Sequence, residues 1–307
     1  MLLVFGAINV DFGFAVAGLP GVGETVWAER GWMAPGGKGA VQAAAAARDG
    51  CRVRMVGAVG RDGLGEVALG GLAEAGVGVR GVARVGGSTG RAAITVGPLG
   101  HTMVVVDRGA NGLVRAEQVE DAQLGPRVTV LLQMEVEMRE NEALIRRARQ
   151  RGARVVLNVS PNRAIEAASL RAVDVLIGNR FELAWLGGHL GTGENPASLY
   201  AALGVAVVRM MGTQGAEAMS EAGYARVPAL PVQMRDTTAA GDCFVGVMAG
   251  ALSHGRGLEE AMRRGAVAAA LSVRNVGGEA SAPGREEIDG ALVRAPAWTR
   301  EQVQVED

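Results

Sequence analysis

The chain has 307 residues, a formal net charge of −1 and two cysteines, with no long run of either charge. That balance argues against a nucleic-acid or acidic-membrane partner held by bulk electrostatics, and two cysteines make neither a disulfide framework nor a metal quartet. The length suits one large α/β domain or two small ones, and the sparse cysteine suits a reducing, cytoplasmic setting.

Taken in chain order, Met1-Leu2-Leu3-Val4-Phe5 is apolar but lacks a basic flank and soon meets Asp11. It reads as the start of a first buried strand, Val4 to Val10, and not as a secretion signal. Gly39 to Arg48 is an Ala-rich helix stopped by Asp49-Gly50. Arg52 to Val59 is a strand, and Gly65 to Ala75 a helix closed by Gly76. Strand Val128 to Leu132, helix Glu140 to Arg151 and strand Arg154 to Val159 follow. Then come strand Val173 to Ile177, a helix near Phe181 to Leu186, strand Val205 to Met211, the helix after Gly241 and the helix Leu258 to Val273. Short apolar strands alternating with helices predict a mostly parallel sheet with helices on both faces. Phe12 to Met33 and Ser88 to Val106 are strand-like and lie outside this rhythm, so a small second sheet acting as a lid is expected there. No stretch approaches the roughly 18 apolar residues of a membrane span. Glycine, 47 residues, follows no short period and marks a turn-rich globular chain.

The run Asp236-Thr237-Thr238-Ala239-Ala240-Gly241-Asp242 sets a carboxylate behind a small-residue turn that opens an apolar helix. Unpaired N–H groups and the positive dipole end make a helix start an anion site. Ala239, Ala240 and Gly241 let a phosphate approach the backbone closely, and Asp242 beside it suits a base that takes a proton from a hydroxyl. The alternative is that Asp242 only stabilises the helix start.

Ligands of open α/β sheets bind at the carboxyl ends of strands. Asn9 and Asp11 close the first expected strand, Glu135 follows the Val128 to Leu132 strand, and Asn158 ends the next. A carboxylate accepts from two neighbouring hydroxyls, so Asp11 with Asn9 suits a polyol. Pro35-Gly36-Gly37-Lys38-Gly39 is a second glycine turn, but its spacing is not that of a Walker loop. Asn179 and Glu182 are either a cap with its capping-box glutamate or a magnesium site acting through waters. Gly76-Val77-Gly78-Val79-Arg80-Gly81 matches the dinucleotide glycine pattern but follows a helix instead of a strand. His101, His189 and His254 are scattered and support neither a zinc site nor a histidine-based hydrolase.

Taken together, these motifs resemble the ribokinase-like (PfkB) carbohydrate kinases, most closely the ribokinase branch, from Val4 to about Leu292. The resemblance is carried by Asn9-Val10-Asp11, Pro20 to Thr25, Gly36-Gly37-Lys38-Gly39-Ala40-Val41-Gln42-Ala43 and Ser88-Thr89-Gly90. Gly109-Ala110-Asn111, Glu135, Asn179 to Glu182, Gly212-Thr213-Gln214-Gly215 and Asp236 to Asp242 complete it. It implies one ribokinase-like α/β domain over residues 1–307, with a β lid from about 12–33 and 88–106 that forms a homodimer contact. It also implies ATP-dependent phosphorylation of a sugar hydroxyl, with ribose or a related pentose as acceptor. By resemblance Asp242 is the base, and the backbone of Ala239, Ala240 and Gly241 is the anion hole. Asn9, Asp11, Gly37, Lys38, the residue at Val41 and Glu135 surround the sugar. Asn179, Gly212, Thr213 and Gly215 lie along the nucleotide, and Glu182 helps place Mg2+. Asp236, Thr238, Gly277 and Ser281 match where ribokinases hold an activating K+.

Three positions depart from that pattern. Ribokinases carry a sugar-contacting Asn where this chain has Val41, usually Thr where it has Met210, and often a polar residue where it has Ala266. Valine neither donates nor accepts, so a sugar lacking or inverting one hydroxyl becomes a candidate. Two other readings stay open. One is a nucleoside kinase of the same superfamily, with Val41, Phe12, Phe14 and Trp27 forming a base slot. The other is a sugar- or nucleotide-binding homologue without turnover. Cys243, next to Asp242, reads as a small buried filler.

Overall fold

The computed structural model describes residues 1–98, 101–274, 281–295 and 299–301. The first strand, β1 (Leu2–Phe5), shows how the core is laid out. All four of its side chains are buried; Leu2 and Val4 join one apolar cluster, and Leu3 and Phe5 join another. Side chains alternate along a strand, so an unbroken apolar run means a sheet covered on both faces. Fully burying one such side chain stabilises by about 1.5–3 kcal/mol, which fixes the register of the strand.

In chain order the remaining strands are β2 (Asn9–Val16), β3 (Ala28–Gly36), β4 (Val53–Gly60), β5 (Gly78–Val85), β6 (Gly90–Val96) and β7 (Thr102–Asp107). They continue with β8 (Thr129–Gln133), β9 (Arg154–Asn158), β10 (Val175–Asn179), β11 (Ala206–Met210), β12 (Ala216–Ser220), β13 (Gly223–Val227) and β14 (Thr299–Glu301). The large sheet has the order β14-β13-β12-β11-β10-β9-β8-β1-β4-β5. From β11 through to β5 neighbouring strands are parallel, whereas β12, β13 and β14 pair antiparallel at one edge. The sheet is therefore mostly parallel, as expected.

Helices α1 (Lys38–Arg48), α2 (Gly63–Glu74), α7 (Ala240–Ser253) and α8 (Leu258–Ser272) bury residues in the cluster that includes Leu2 and Val4. Helices α3 (Met138–Gln150), α4 (Ala167–Arg171), α5 (Arg180–Leu190) and α6 (Pro196–Leu203) pack on the opposite face, and α9 (Arg285–Leu292) packs beside α7 and α8. Helices α1 and α7 approach closely. A β-carbon on Gly246 would stand 2.2 Å from the Gln42 carbonyl oxygen, so only glycine lets α7 come this near to α1.

The second sheet has the order β3-β2-β6-β7. It corrects the expected first strand, Val4 to Val10. The chain leaves the large sheet after Phe5, crosses at Gly6, Ala7 and Ile8, and starts β2 of the small sheet at Asn9. Asn9 and Asp11 therefore stand at the base of the small sheet rather than at the end of a central strand. The apolar pattern runs on through the crossing because Ala7 and Ile8 are themselves buried. Among the described residues no helix is long and apolar enough to cross a membrane.

Candidate active site

In the large sheet β1 pairs with β4 on one side and β8 on the other, so the chain order reverses at β1. An open α/β sheet forms its crevice at such a point, beyond the carboxyl ends of the strands. The polar residues converge there. Gln133 ends β8, Asn158 ends β9 and is its register partner, and Asn179 ends β10 opposite Met210 of β11. The first turn of α7 brings Asp242 to the same edge.

The glycine turn before α1 is pressed against the crossing from β1 to β2. Gly37 adopts φ 85°, and a β-carbon there would lie 2.8 Å from the Asn9 nitrogen. A β-carbon on Gly39 would lie 2.8 Å from the Ala7 oxygen, which instead accepts a hydrogen bond from the Ala40 nitrogen. Glycine is required at both places, by conformation at one and by space at the other. The turn delivers Lys38, whose main-chain nitrogen donates to Glu135 Oε2 at 2.9 Å and whose Nζ lies 3.6 Å from Asp242 Oδ2.

Asn9 is only 3% exposed, and its Oδ1 accepts from Asn111 Nδ2 at 2.7 Å. Asn111 also accepts from the Ile8 nitrogen and donates to the Ile8 oxygen. One buried amide thus holds the crossing on both sides and fixes the Asn9 side chain, leaving the Asn9 NH2 as its remaining donor group.

Three carboxylates share the field of the single Lys38 ammonium. Burial, with Glu135 and Asp242 adding and Lys38 opposing, pushes the Asp11 carboxyl up to about 7. Burial also raises Glu135, against the pull of Lys38. For Lys38 burial works against the charge, but Asp242, Glu135 and Glu182 outweigh it and the net direction is upward. The ammonium stays charged and the carboxylates gain most by accepting hydrogen bonds.

Helix α7 starts without a side-chain cap. Its N-cap residue, Ala239, has φ 64° and is the one non-glycine residue with positive φ among the described residues. Such a conformation costs of order 1–3 kcal/mol and is held only by its surroundings. Here Asp236 Oδ1 accepts from the Thr238 nitrogen, while the nitrogens of Arg235 and Asp236 both donate to the Val273 oxygen. Ala240 and Gly241 line a cavity of about 480 Å³ together with Met210, Gly212, Thr213 and Gly215. A neighbouring cavity of about 510 Å³ is lined by Asn179, Met210, Gly212 and Thr213 among others. Gly212, Thr213 and Gly215 thus share a cavity with the open start of α7, while Asn179 lines only the neighbouring one. Ala266 lines the first cavity too.

Asn179 and Glu182 form a complete reciprocal cap. Asn179 Oδ1 accepts from the nitrogens of Phe181 and Glu182, and Glu182 Oε2 accepts from the Asn179 nitrogen. The capping geometry is thus present, while the charge of Glu182 still acts on Lys38. Ser281 is buried, and Gly277 lies outside the described residues. Among the described residues no cluster of three or more His, Cys, Asp or Glu side chains could hold a metal. Cys243 is buried, and its thiol is pushed up to about 12 by burial, as an inert filler would be. Of the residues named for a base slot, Trp27 is 92% exposed and Phe12 packs against the core.

One part of the site was not singled out from the sequence. Gln42, fully buried on α1, donates through Nε2 to Asp242 Oδ1 at 2.8 Å and to Asn158 Oδ1 at 3.0 Å. It accepts from Gln133 Nε2 at 2.7 Å. An i, i+4 spacing from Lys38 was the available signal, since it sets both side chains on one helix face.

The open, mostly parallel sheet thus sets an uncapped helix start between a cavity of about 480 Å³ and a carboxylate-rich polar pocket. The family description "pfkB family carbohydrate kinase" matches residues 1–285, and the chain belongs to that family. A ribokinase of Schizosaccharomyces pombe is 32% identical, the match covering 95% of this chain and 97% of the relative. The ribokinase structure of Thermotoga maritima superposes with a TM-score of 0.87 at 30% identity, covering 95% of this chain and 99% of that one. The Arabidopsis thaliana ribokinase complexed with ribose and ATP gives a TM-score of 0.83 at 29% identity, covering 95% and 98%. The resemblance is to the ribokinase branch, and the chain is an ATP-dependent sugar kinase.

Proposed function

We propose that Asp242 is the general base for phosphorylation of a pentose hydroxyl, with the backbone of Ala239, Ala240 and Gly241 as the anion hole. The reading rests on one observation. The Asp242 carboxylate stands on the first turn of an uncapped helix, between the Lys38, Glu135 and Asp11 group and the cavity lined by Ala240 and Gly241. The acceptor hydroxyl gives its proton to Asp242 as its oxygen bonds the γ-phosphorus. The bond from that phosphorus to the β–γ bridging oxygen breaks, and ADP leaves with the electron pair. The open N–H groups at the start of α7 stabilise charge on the transferring phosphoryl, and Lys38 adds a fixed positive charge.

Asn9, Asp11, Gly37 and Glu135 hold the sugar, and Asn179, Gly212, Thr213 and Gly215 border ATP. Glu182 would help place Mg2+ through water beside the ATP phosphates, where the ion would neutralise phosphate charge. Asp236, Thr238 and Ser281, with Gly277, would supply oxygen to K+. The small sheet acts as a lid that excludes water from ATP. It also serves as the contact of a homodimer, supported by the exposed Met103, Val104, Val105 and Val106 on its edge strand β7. Two buried free thiols suit the reducing cytoplasm.

The acceptor is ribose or a closely related pentose. Val41 lies in the first turn of α1, 5% exposed, and among the described residues it stands outside the core clusters. It offers no hydrogen bond to a hydroxyl, a loss of about 1 kcal/mol. We therefore expect 2-deoxyribose to compete well with ribose. The test is ADP release from Mg-ATP, with and without K+, across ribose, 2-deoxyribose, other pentoses, fructose and several nucleosides, for the native protein and Asp242→Asn. Turnover of a pentose that Asp242→Asn abolishes, with sugar binding retained, supports the reading. Undiminished turnover in Asp242→Asn removes Asp242 from the base role.

A further inference from the structure

We infer that Gln42 is a positioning residue for the phosphoryl transfer, acting through Asp242; the inference rests on the base role proposed for that carboxylate. Lys38 and Gln42 stand one helical turn apart on α1 and take opposite oxygens of Asp242: Nζ at 3.6 Å from Oδ2 and Nε2 at 2.8 Å from Oδ1. The carboxylate is therefore held at two points from one helix face, which sets its rotation about the bond to the β-carbon. Oδ1 is occupied by the amide, and Oδ2 is left as the oxygen that meets an incoming hydroxyl.

The amide itself has only one workable orientation. Its Oε1 accepts from Gln133 Nε2 at 2.7 Å, and its second N–H goes to Asn158 Oδ1 at 3.0 Å. Asn158 is fixed in turn because its Nδ2 donates to the Ile177 oxygen at 3.0 Å. Turning the Gln42 amide over would aim Oε1 at both Asp242 Oδ1 and Asn158 Oδ1, three acceptors with no proton between them. The donation from Gln133 polarises the same amide toward Asp242, since chained hydrogen bonds strengthen one another in a buried setting. Gln133 from β8 and Asn158 from β9 thus hold the one amide, on α1, that donates to Asp242 Oδ1. The close approach of α1 to α7 at Gly246 makes the reach possible, because Gly246 follows Asp242 by one turn and touches the Gln42 backbone.

A glutamine that served only to fill the core would not need this arrangement. Buried at 0% exposure, a methionine would fill the same volume without the buried amide. The distinction is measurable. In Gln42→Met, kcat should fall by about 10²-fold, as for a reacting group displaced by a fraction of an ångström to an ångström, while KM for sugar and for ATP stays within about twofold. In an Asp242→Asn background the same substitution should change the residual rate by less than about twofold, because the two residues act as a unit. Gln42→Glu serves as the second variant. Its neutral carboxyl can donate to Asp242 and its ionised form repels it, so its kcat relative to the native enzyme should rise as pH is lowered, with Lys38 charged throughout. A native-like kcat in Gln42→Met, or equal losses in kcat and both substrate affinities, overturns the inference while leaving the base role standing if Asp242→Asn is inactive. Full activity in Asp242→Asn overturns both.

Discussion

Gly36 lies directly against Asp11: a β-carbon on Gly36 would fall 2.2 Å from Asp11 Oδ2 and 2.4 Å from Oδ1. The two residues sit on neighbouring strands, β3 and β2, where Asn9 pairs with Gly36 and Asp11 with Ala34. The missing side chain at Gly36 is the space the carboxylate occupies. Gly36→Ala should therefore push Asp11 out of its position and raise the sugar KM by roughly tenfold or more, since small misplacements of a positioning group have large effects. ATP affinity should hold, because the residues proposed to border ATP lie at the end of β10 and in the turn between β11 and β12. Steady-state kinetics against each substrate, with a melting curve to check the fold, measures both; an unchanged sugar KM would exclude Asp11 from the sugar contacts.

The same carboxyl sets a pH dependence. Asp11 is pushed up to about 7 by burial first, then by Glu135 and Asp242, with Lys38 pulling the other way. Only the ionised form accepts from two sugar hydroxyls without surrendering an oxygen to a proton. Sugar KM should consequently fall as pH rises toward about 7, by up to about tenfold per unit, and level off above it. The sign for stability is opposite. A carboxyl raised in the folded state favours folding most below its ordinary value of 3.8, and that contribution is lost as pH rises through about 7. Ligand-free Asp11→Asn should thus melt above the native protein at pH 8, with the gap closing toward pH 4, while its sugar binding is lost. Melting curves at several pH values decide this, and a gap that widens on acidification would refute it.

The alternation of apolar strands and helices was legible because β1, β8, β9 and β10 are buried on both faces over most of their length and read as short apolar runs. β12, β13 and β14 were not, since an antiparallel edge of short strands such as Ala216-Glu217-Ala218-Met219-Ser220 leaves no comparable run. The helix α6 was missed despite its Asn195 cap and Pro196, because its length of eight residues gives the period little room. Within the site, residues whose chemistry is local could be read: the small-residue turn before Asp242, the glycines before Lys38, the Asn179 and Glu182 cap. Gln42, Gln133 and Asn158 meet only in space, with separations of 91 and 116 residues from Gln42, and no local pattern announces such a meeting. The crossing at Gly6 to Ile8 was hidden for another reason, since hydrophobicity says that a residue is buried but not in which sheet.

Far from the chemistry, Arg264 ties three helices together, and its loss should affect stability before activity. Its guanidinium, 5% exposed, donates through Nε and Nη2 to the two oxygens of Asp49 at the end of α1 and through Nη1 to Asp289 on α9. Asp49 is buried as well, so its charge has little water to fall back on. A forked guanidinium matches a carboxylate in a way that lysine does not. Breaking such a pair from one side leaves a buried carboxylate alone and typically costs about 3–5 kcal/mol, whereas removing both charges together is far milder. Arg264→Met should therefore lower the melting temperature strongly, and Arg264→Met with Asp49→Leu should recover most of the loss. Because α1 carries Lys38 and Gln42 at its other end, kcat measured well below the melting transition should stay near native in the double variant. If the double variant melts as low as Arg264→Met, packing of the arginine stem and its Asp289 bond outweigh the pair with Asp49, and the buried-charge argument fails.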